Sequence, residues 1–310
     1  MSANVLVVGS ANLDFIIKVG VPPRPGQTVL AKQMVRHPGG KGANQAVAAA
    51  RMGADVQFVG CVGDDADGER VLRDLRAEGI DMSMVEIVAN VHTGLALVSV
   101  FDSGENSITV VPGANFALRP ERVRRAVASS AGTRTVLVLQ AEVRPAVAEA
   151  AVAEASLVPG TRVVLNLAPY VPASAEVLAA CDPLVLNQSE AADLVGYPVP
   201  DPAAARRALV DIAPSVRSVV ITLGGDGAVW AQGSASGLVP APAVSAVVDS
   251  TGAGDAFVGA LAAELAHDDS LERAVEVGVR AGSFAVERFG AQSSYPMRSQ
   301  LEAFSGGPVA

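Results

Sequence analysis

"GGKGANQAVAAARMGADVQFV", Gly39–Val59, reads as a glycine turn, then a helix, then a buried strand. The helix is expected over Ala43–Met52, where alanine and valine recur at helical spacing. The strand follows at Val56–Val59 as a short apolar run. Gly39, Gly40 and Gly42 let the backbone approach a ligand, Lys41 offers a cation, and Asn44 can cap the helix or bind. This is not a phosphate-binding loop of the usual kind, because Gly42 rather than Ser or Thr follows the lysine. Taken alone, the turn reads equally well as a helix start with a solvated lysine.

The same turn–helix–strand unit recurs along the chain. Continuous apolar runs lie at Val5–Val8, Thr135–Leu139, Val163–Asn166, Leu184–Asn187 and Val219–Thr222. Such runs fit strands buried on both faces. Helical patterns separate them at Gly68–Glu78, Pro145–Ala155, Gln188–Val195 and Ala203–Ile212, and two more close the chain at Ala253–Ala266 and Leu271–Phe289. The alternation predicts an α/β fold: a doubly wound, mostly parallel central sheet with helices on both faces. Four segments break the rhythm, at about 13–19, 28–37, 94–101 and 106–111, with "DSGEN" (Asp102–Asn106) as a hairpin loop. They predict a small discontinuous β-sheet lid on a single domain covering residues 1–310. A two-faced sheet of that size is marginal alone, so it also offers a dimer surface.

Composition excludes several classes. The chain has 310 residues and a net charge of −9, from 23 Lys plus Arg against 32 Asp plus Glu. No basic block supplies a nucleic-acid face, and no apolar run has the length of a membrane span. The N-terminus shows no secretory pattern, and Cys61 and Cys181 are too far apart for metal-ligand spacing. Buried thiols in a reducing, cytoplasmic compartment are the expectation.

The polar residues cluster just beyond strand ends, where open α/β sheets bind ligands. In "GSANLDF" (Gly9–Phe15), Asn12 and Asp14 are two apart and face one side of an extended chain. Glu142 follows the Thr135–Leu139 strand, and could equally cap the helix from Pro145. In "LNQSEAADLVG" (Leu186–Gly196), Asn187 and Glu190 make either a capping box or a pair that orients water around Mg²⁺. "ITLGGDGAVW" (Ile221–Trp230) is a strand, a glycine turn and a strand, either a plain hairpin or the edge of a nucleotide site over Thr222–Gly227. In "DSTGAGDAFVGAL" (Asp249–Leu261), Gly252, Ala253 and Gly254 open a helix whose first amides lack intrahelical partners. That is an anion site needing no basic side chain. Asp255 stands beside it as a cap or as a base, and phosphoryl transfer needs such a base next to such donors.

Six such stretches in this order resemble the ribokinase family of sugar kinases, also called the phosphofructokinase-B family. Both signature segments are present, "GGKGANQAVAAARMGADVQFVGCVGDDADG" and "DSTGAGDAFVGAL", and the likeness runs from about Val5 to Phe304. The resemblance implies transfer of the ATP γ-phosphoryl to a sugar or nucleoside hydroxyl. It places sugar binding on Asn12, Asp14, Gly40, Lys41, Asn44, Glu142 and Asp255. Asp255 would be the catalytic base, with the anion hole on Gly252, Ala253 and Gly254. Nucleotide, phosphate and Mg²⁺ contacts fall on Asn187, Glu190, Thr222, Leu223, Gly224, Gly225, Asp226, Gly227 and Gly254. A monovalent cation, K⁺, would sit at Asp249, Thr251, Ala285, Arg288, Gly290 and Ser294, largely through backbone carbonyls. Val279 departs from the polar residue often found near the adenine.

The complete Asn12/Asp14/Lys41/Asn44/Glu142 set resembles the ribokinases proper, which implies D-ribose phosphorylated at O5, and a homodimer through the lid. Deoxyribose, fructose or a nucleoside fits the same scaffold. A non-catalytic sugar- or nucleotide-binding regulator is disfavoured, since a carboxylate beside a bound phosphate repels it. A dinucleotide-dependent dehydrogenase is disfavoured because "GSANLD" is not Gly-x-Gly-x-x-Gly.

Overall fold

A computed structural model of the chain describes residues 4–102 and 106–304. The N-terminal part carries β1 (Asn4–Val8), β2 (Asn12–Val19), β3 (Gln33–Gly39), α1 (Lys41–Arg51) and β4 (Asp55–Val59). Next come β5 (Cys61–Gly63), α2 (Ala66–Ala77), β6 (Glu86–Val88), β7 (Gly94–Phe101), β8 (Asn106–Val111) and α3 (Pro120–Ser129). The middle alternates β9 (Thr135–Gln140), α4 (Pro145–Ala155), β10 (Thr161–Asn166), α5 (Ala175–Ala180), β11 (Cys181–Asn187), α6 (Gln188–Val195), α7 (Pro202–Ile212) and β12 (Ser218–Thr222). The chain closes with β13 (Ala228–Gln232), β14 (Ala235–Val239), α8 (Ala253–His267), α9 (Leu271–Val286) and α10 (Arg298–Ala303).

Eight strands form the main sheet in the order β14-β13-β12-β11-β10-β9-β1-β4. β4 through β12 run parallel, and β13 and β14 add an antiparallel edge. From β1 the chain builds to β4 on one side, then returns to β9 on the other. The switch point therefore lies between β1 and β9, where a doubly wound sheet opens a crevice at its carboxyl ends.

The strand sequences explain the two layers. Valines Val5, Val7, Val136, Val138, Val164, Val185 and Val220 point to one face and pack under α1, α8 and α9. Leu6, Leu137, Leu139, Leu165, Leu184, Leu186 and Ile221 point to the other, under α3, α4 and α7. Because both faces are buried, the runs read as continuous rather than alternating. On the valine side the helices come unusually close. A Cβ on Gly259 of α8 would lie 2.5 Å from the Ala48 Cβ and the Gln45 carbonyl oxygen of α1. This contact sets the side chains of α1 against the first turn of α8.

A separate four-stranded sheet has the order β3-β2-β7-β8, with β2 and β7 parallel and the outer pairs antiparallel. The strand expected over 28–37 runs instead over Gln33–Gly39. β2 ends at Val19 with Lys18 opposite Gln33, so residues 28–32 have almost no strand to pair with. Only the Lys32 amide reaches across, to the Lys18 carbonyl at 2.7 Å. Residues 103–105 of the expected "DSGEN" loop lie outside the described residues. Helix α3 has no counterpart in the sequence reading; it starts with Pro120 at its first turn and buries Val123, Ala126 and Val127. The last long helix stops at Val286, three residues short of the expected Phe289, because the Val286 carbonyl turns to accept from the Val248 and Asp249 amides. No helix among the described residues is long and apolar enough to cross a membrane.

Candidate active site

Helix α8 begins at Gly252, whose φ of 76° lies in the left-handed region that glycine tolerates. A side chain there would also strike Ala291 and the Tyr295 phenol, its Cβ 2.5 Å from the hydroxyl oxygen. The Ala253 amide donates to the Ser250 carbonyl at 3.2 Å, closing the entry turn. The amides of Gly254 and Asp255 follow in the first helical turn, where the helix itself supplies no acceptor. A Cβ on Gly254 would meet open space, so no other part of the protein covers this turn.

Asp255 is buried, yet its carboxylate is held on both oxygens. Asn44 Nδ2 donates to Oδ2 and Gln45 Nε2 donates to Oδ1, each at 3.0 Å. Both donors come from α1, placed by the close α1–α8 packing. Asn44 is oriented in turn by Gln292 Nε2, which donates to its Oδ1 at 2.9 Å. Arg51 ties the Gln292–Tyr295 turn to α1 by donating to the carbonyls of Gln292 and Tyr295 at 2.6 and 3.0 Å.

Opposite Asp255 stand the residues of β2. Asn12 is buried, and its Oδ1 accepts from Asn115 Nδ2 at 2.7 Å, while Asn115 Oδ1 accepts from the Ala11 amide at 2.9 Å. Asp14 Oδ1 is buried with no hydrogen-bond partner. Burial, then the negative charges of Glu142 and Asp255, push the Asp14 carboxyl up to about 7. A buried, unpartnered acceptor fits a site whose donors arrive with a ligand.

Glu142 does not cap α4, whose N-cap Arg144 has no side-chain cap bond. Its Oε2 instead accepts from the Lys41 amide at 3.0 Å and the Ser10 hydroxyl at 2.6 Å, and so caps α1 across the switch point. Asp255 first, then Glu142 and Glu190, hold the Lys41 ammonium above its ordinary value against the opposing effect of burial. Lys41 therefore stays protonated in the field of these carboxylates.

At the start of α6, Asn187 and Glu190 form a full capping box at 2.8 Å in each direction. Burial raises the Glu190 carboxyl from its usual value. Thr222 ends β12 and donates to the Leu186 carbonyl at 3.3 Å, and Leu223 is buried. Gly224–Asp226 form one turn of 3₁₀ helix, and Gly227 leads into β13 as the hairpin expects.

The six residues singled out for a monovalent cation fall on the loop before α8, the last turn of α9 and the segment that follows α9. The Asp249 carboxylate joins the first of these to the last, accepting from the Thr251 and Gly290 amides at 2.9 Å each. These bonds hold its carboxyl below the usual range, although burial acts the other way. The Ala285 carbonyl already accepts from the Arg288 amide at 3.0 Å. The Arg288 guanidinium lies over the Phe284 ring and donates to the Phe284 carbonyl, and Ser294 Oγ donates to Ala291 at 2.7 Å. No group of three His, Cys, Asp or Glu among the described residues has metal-binding geometry. Val279 is buried in the core, on the valine side of the sheet.

The sequence reading missed Ser10, Gln45, Asn115, Gln140, Asn166, Gln292 and Tyr295. Four had a usable signal: Ser10 sits in the "GSANLDF" stretch, Gln45 sits in the glycine-turn motif, and Gln140 and Asn166 are polar residues that end buried strands. Asn115, Gln292 and Tyr295 had none, because only the fold brings them to the site.

Residues 2–298 match the family described as pfkB family carbohydrate kinase. A ribokinase of Haemophilus influenzae is 36% identical over 305 residues, covering 98% of this chain and 99% of that protein. A deoxyribokinase of Salmonella typhimurium is 35% identical over 305 residues, covering 97% and 98%. The solved structure of an Arabidopsis thaliana ribokinase complexed with ribose and ATP superposes with a TM-score of 0.87, at 30% identity and 98% coverage of both chains.

Proposed function

Since the chain belongs to the pfkB family of carbohydrate kinases, we infer that it is an ATP-dependent sugar kinase that transfers the γ-phosphoryl group to O5 of D-ribose, giving ribose 5-phosphate and ADP. The observation that carries this reading is Asp255, a buried carboxylate clamped on both oxygens at the amide-bearing start of α8.

The sugar binds between the carboxyl ends of the main sheet and the β2-containing lid. Asn12, Asp14, Gly40, Lys41, Asn44 and Glu142 surround it, and Asp14 meets its hydroxyls from the side opposite Asp255. Asp255 accepts the O5 proton as O5 attacks the γ-phosphorus in line. The amides of Gly252, Ala253 and Gly254 face the transferring group, although the Ala253 amide must loosen its Ser250 bond to join them. Thr222–Gly227 line the nucleotide.

Mg²⁺ fits beside Asn187 and Glu190, whose capping box uses only Oε2 of the carboxylate. When bound, Mg²⁺ offsets charge on the ATP phosphates, and it keeps several waters that such an oxygen can accept from. The donor set at Asp249, Thr251, Ala285, Arg288, Gly290 and Ser294 fits a monovalent cation. Its carboxylate is spent on amides and its guanidinium stacks on Phe284, which leaves neutral oxygens. K⁺ should raise kcat well above the rate in a large inert cation such as tetramethylammonium; equal rates in the two salts would remove this site.

The lid exposes Met34 and Leu97 on one face and Ile108 and Val110 on the other, apolar area suited to a second copy. Sedimentation should give twice the 31.4 kDa chain mass, and a species at the single-chain mass would overturn the homodimer. The buried free thiols Cys61 and Cys181, each pushed up to about 12 chiefly by burial, fit a reducing compartment such as the cytoplasm.

A second acceptor, 2-deoxyribose, is favoured by the Salmonella typhimurium deoxyribokinase. ADP release measured with ribose, deoxyribose, fructose and adenosine decides the acceptor. The highest kcat/KM is expected with ribose, and no sugar-dependent ADP from any of the four would overturn the kinase reading.

A further inference from the structure

Behind Asp255 lies a chain of buried carboxamides that the transfer reaction as described does not use. Gln45 Nε2 donates both to Asp255 Oδ1 and to Asn166 Oδ1, each at 3.0 Å. Gln45 Oε1 accepts from Gln140 Nε2 at 2.7 Å. Asn166 Nδ2 donates to the Val185 carbonyl of β11 at 3.3 Å. All three amides are buried.

A side-chain amide can present either end to a neighbour, but a backbone carbonyl can only accept. Val185 therefore takes the Asn166 nitrogen and leaves Asn166 Oδ1 facing Gln45. That oxygen requires the Gln45 nitrogen, and this same nitrogen meets Asp255. The leftover Gln45 Oε1 is matched by the Gln140 nitrogen. Reversing any one amide would set oxygen against oxygen in a region sealed from water, at the cost of a buried unpaired group. The polarity of the chain is thus dictated by β11, and it ends on the reacting carboxylate.

We propose that Gln45, oriented by Asn166 and Gln140, is a positioning residue for the base Asp255. It pins one carboxylate oxygen, stabilises the ionised form, and with Asn44 fixes the plane of the carboxylate so that its open lone pairs face the sugar hydroxyl. Torsion about the bond to a carboxylate is soft and two-fold, so without a second donor that plane is free to turn. The need is acute here. Asp255 shares its surroundings with Asp14 on β2, Glu142 after β9, Glu190 on α6 and the Tyr295 phenol, with Lys41 and, beside Tyr295, Arg51 of α1 as cations among them.

The inference rests on Asp255 being the base, and its test separates the two. Gln45→Leu, which removes the donor at similar size, should lower kcat about tenfold or more. The KM values for sugar and ATP should stay within about threefold, and the acid limb of kcat against pH should move to higher pH. Gln45→Glu sets a second carboxylate against Asp255 and should move that limb further in the same direction. Gln140→Leu, one bond removed from Asp255, gives a smaller loss of the same kind and keeps the test open if the Gln45 variants fold poorly. In an Asp255→Asn background, Gln45→Leu should leave the residual rate unchanged, because the carboxylate it positions is gone. A normal kcat for a folded Gln45→Leu, or equal losses with and without Asp255, overturns the positioning role while leaving the base intact. Near-normal turnover by Asp255→Asn alone overturns the base instead.

Discussion

Asp255→Asn should lower kcat by at least about a hundredfold and leave the sugar KM nearly unchanged. A positioned base contributes roughly 10²–10⁴-fold to proton transfer, and asparagine cannot take the O5 proton. The substitution keeps shape and helix propensity but offers one acceptor where Asn44 and Gln45 both donate. One buried N–H is then unpaired, at about 1–3 kcal/mol. Part of that cost is offset because Asp14 loses a like charge. The protein should therefore remain folded at room temperature with a modest change in melting temperature. Steady-state kinetics on material whose circular dichroism matches the parent checks this. A folded variant with near-normal turnover would end the assignment of Asp255.

Asp14→Asn has two expected effects of opposite benefit. Sugar affinity should fall, with KM rising about tenfold or more, since bonds to an ionised acceptor are worth roughly 1.5–3 kcal/mol. Stability at alkaline pH should rise. The Asp14 carboxyl is near 3.8 when unfolded and about 7 when folded. Between those values the folded chain holds a proton that the unfolded chain has lost. Its contribution to stability is complete below about pH 4 and is lost as pH rises through about 7. The cost at pH 8 is on the order of 2–4 kcal/mol. Asparagine carries no such charge, so the variant should gain in melting temperature over the parent at pH 8 and not at pH 4. For the parent, sugar KM should fall as pH rises through 7, because the ionised carboxylate is the better acceptor. Equal melting differences at the two pH values would show that Asp14 is not a buried charge. Asp14 Oδ1 is an acceptor left unpaired in the empty protein, as expected of a group whose donor arrives with a ligand.

Legibility followed sequence distance. The valine and leucine runs, most of the helices between them and the polar residues at strand ends were readable, because each depends on local periodicity, but α3 and α5 were not. Asn12, Asp14, Lys41, Asn44 and Asp255 were readable because each lies in a short motif next to a turn. Gln45 lies in the same motif and was passed over, since nothing local shows a glutamine meeting residues 95, 121 and 210 positions away. Glu142 was placed at the correct sheet end but its partner was not legible: proximity to Pro145 pointed to α4, and the structure gives it to α1. The strand expected at 28–37 was misplaced because register is set by the partner strand, not by the segment itself.

The sequence by itself determined the layers and the family, since burial pattern and glycine turns are written residue by residue. Only the tertiary structure decided how the Asp255 carboxylate is held. The near approach of α1 and α8 at Gly259, and the direction of the Val185 carbonyl, orient four amides around one carboxylate. Hydrogen bonding at 3 Å is a property of the assembled space between elements, and no single segment contains it.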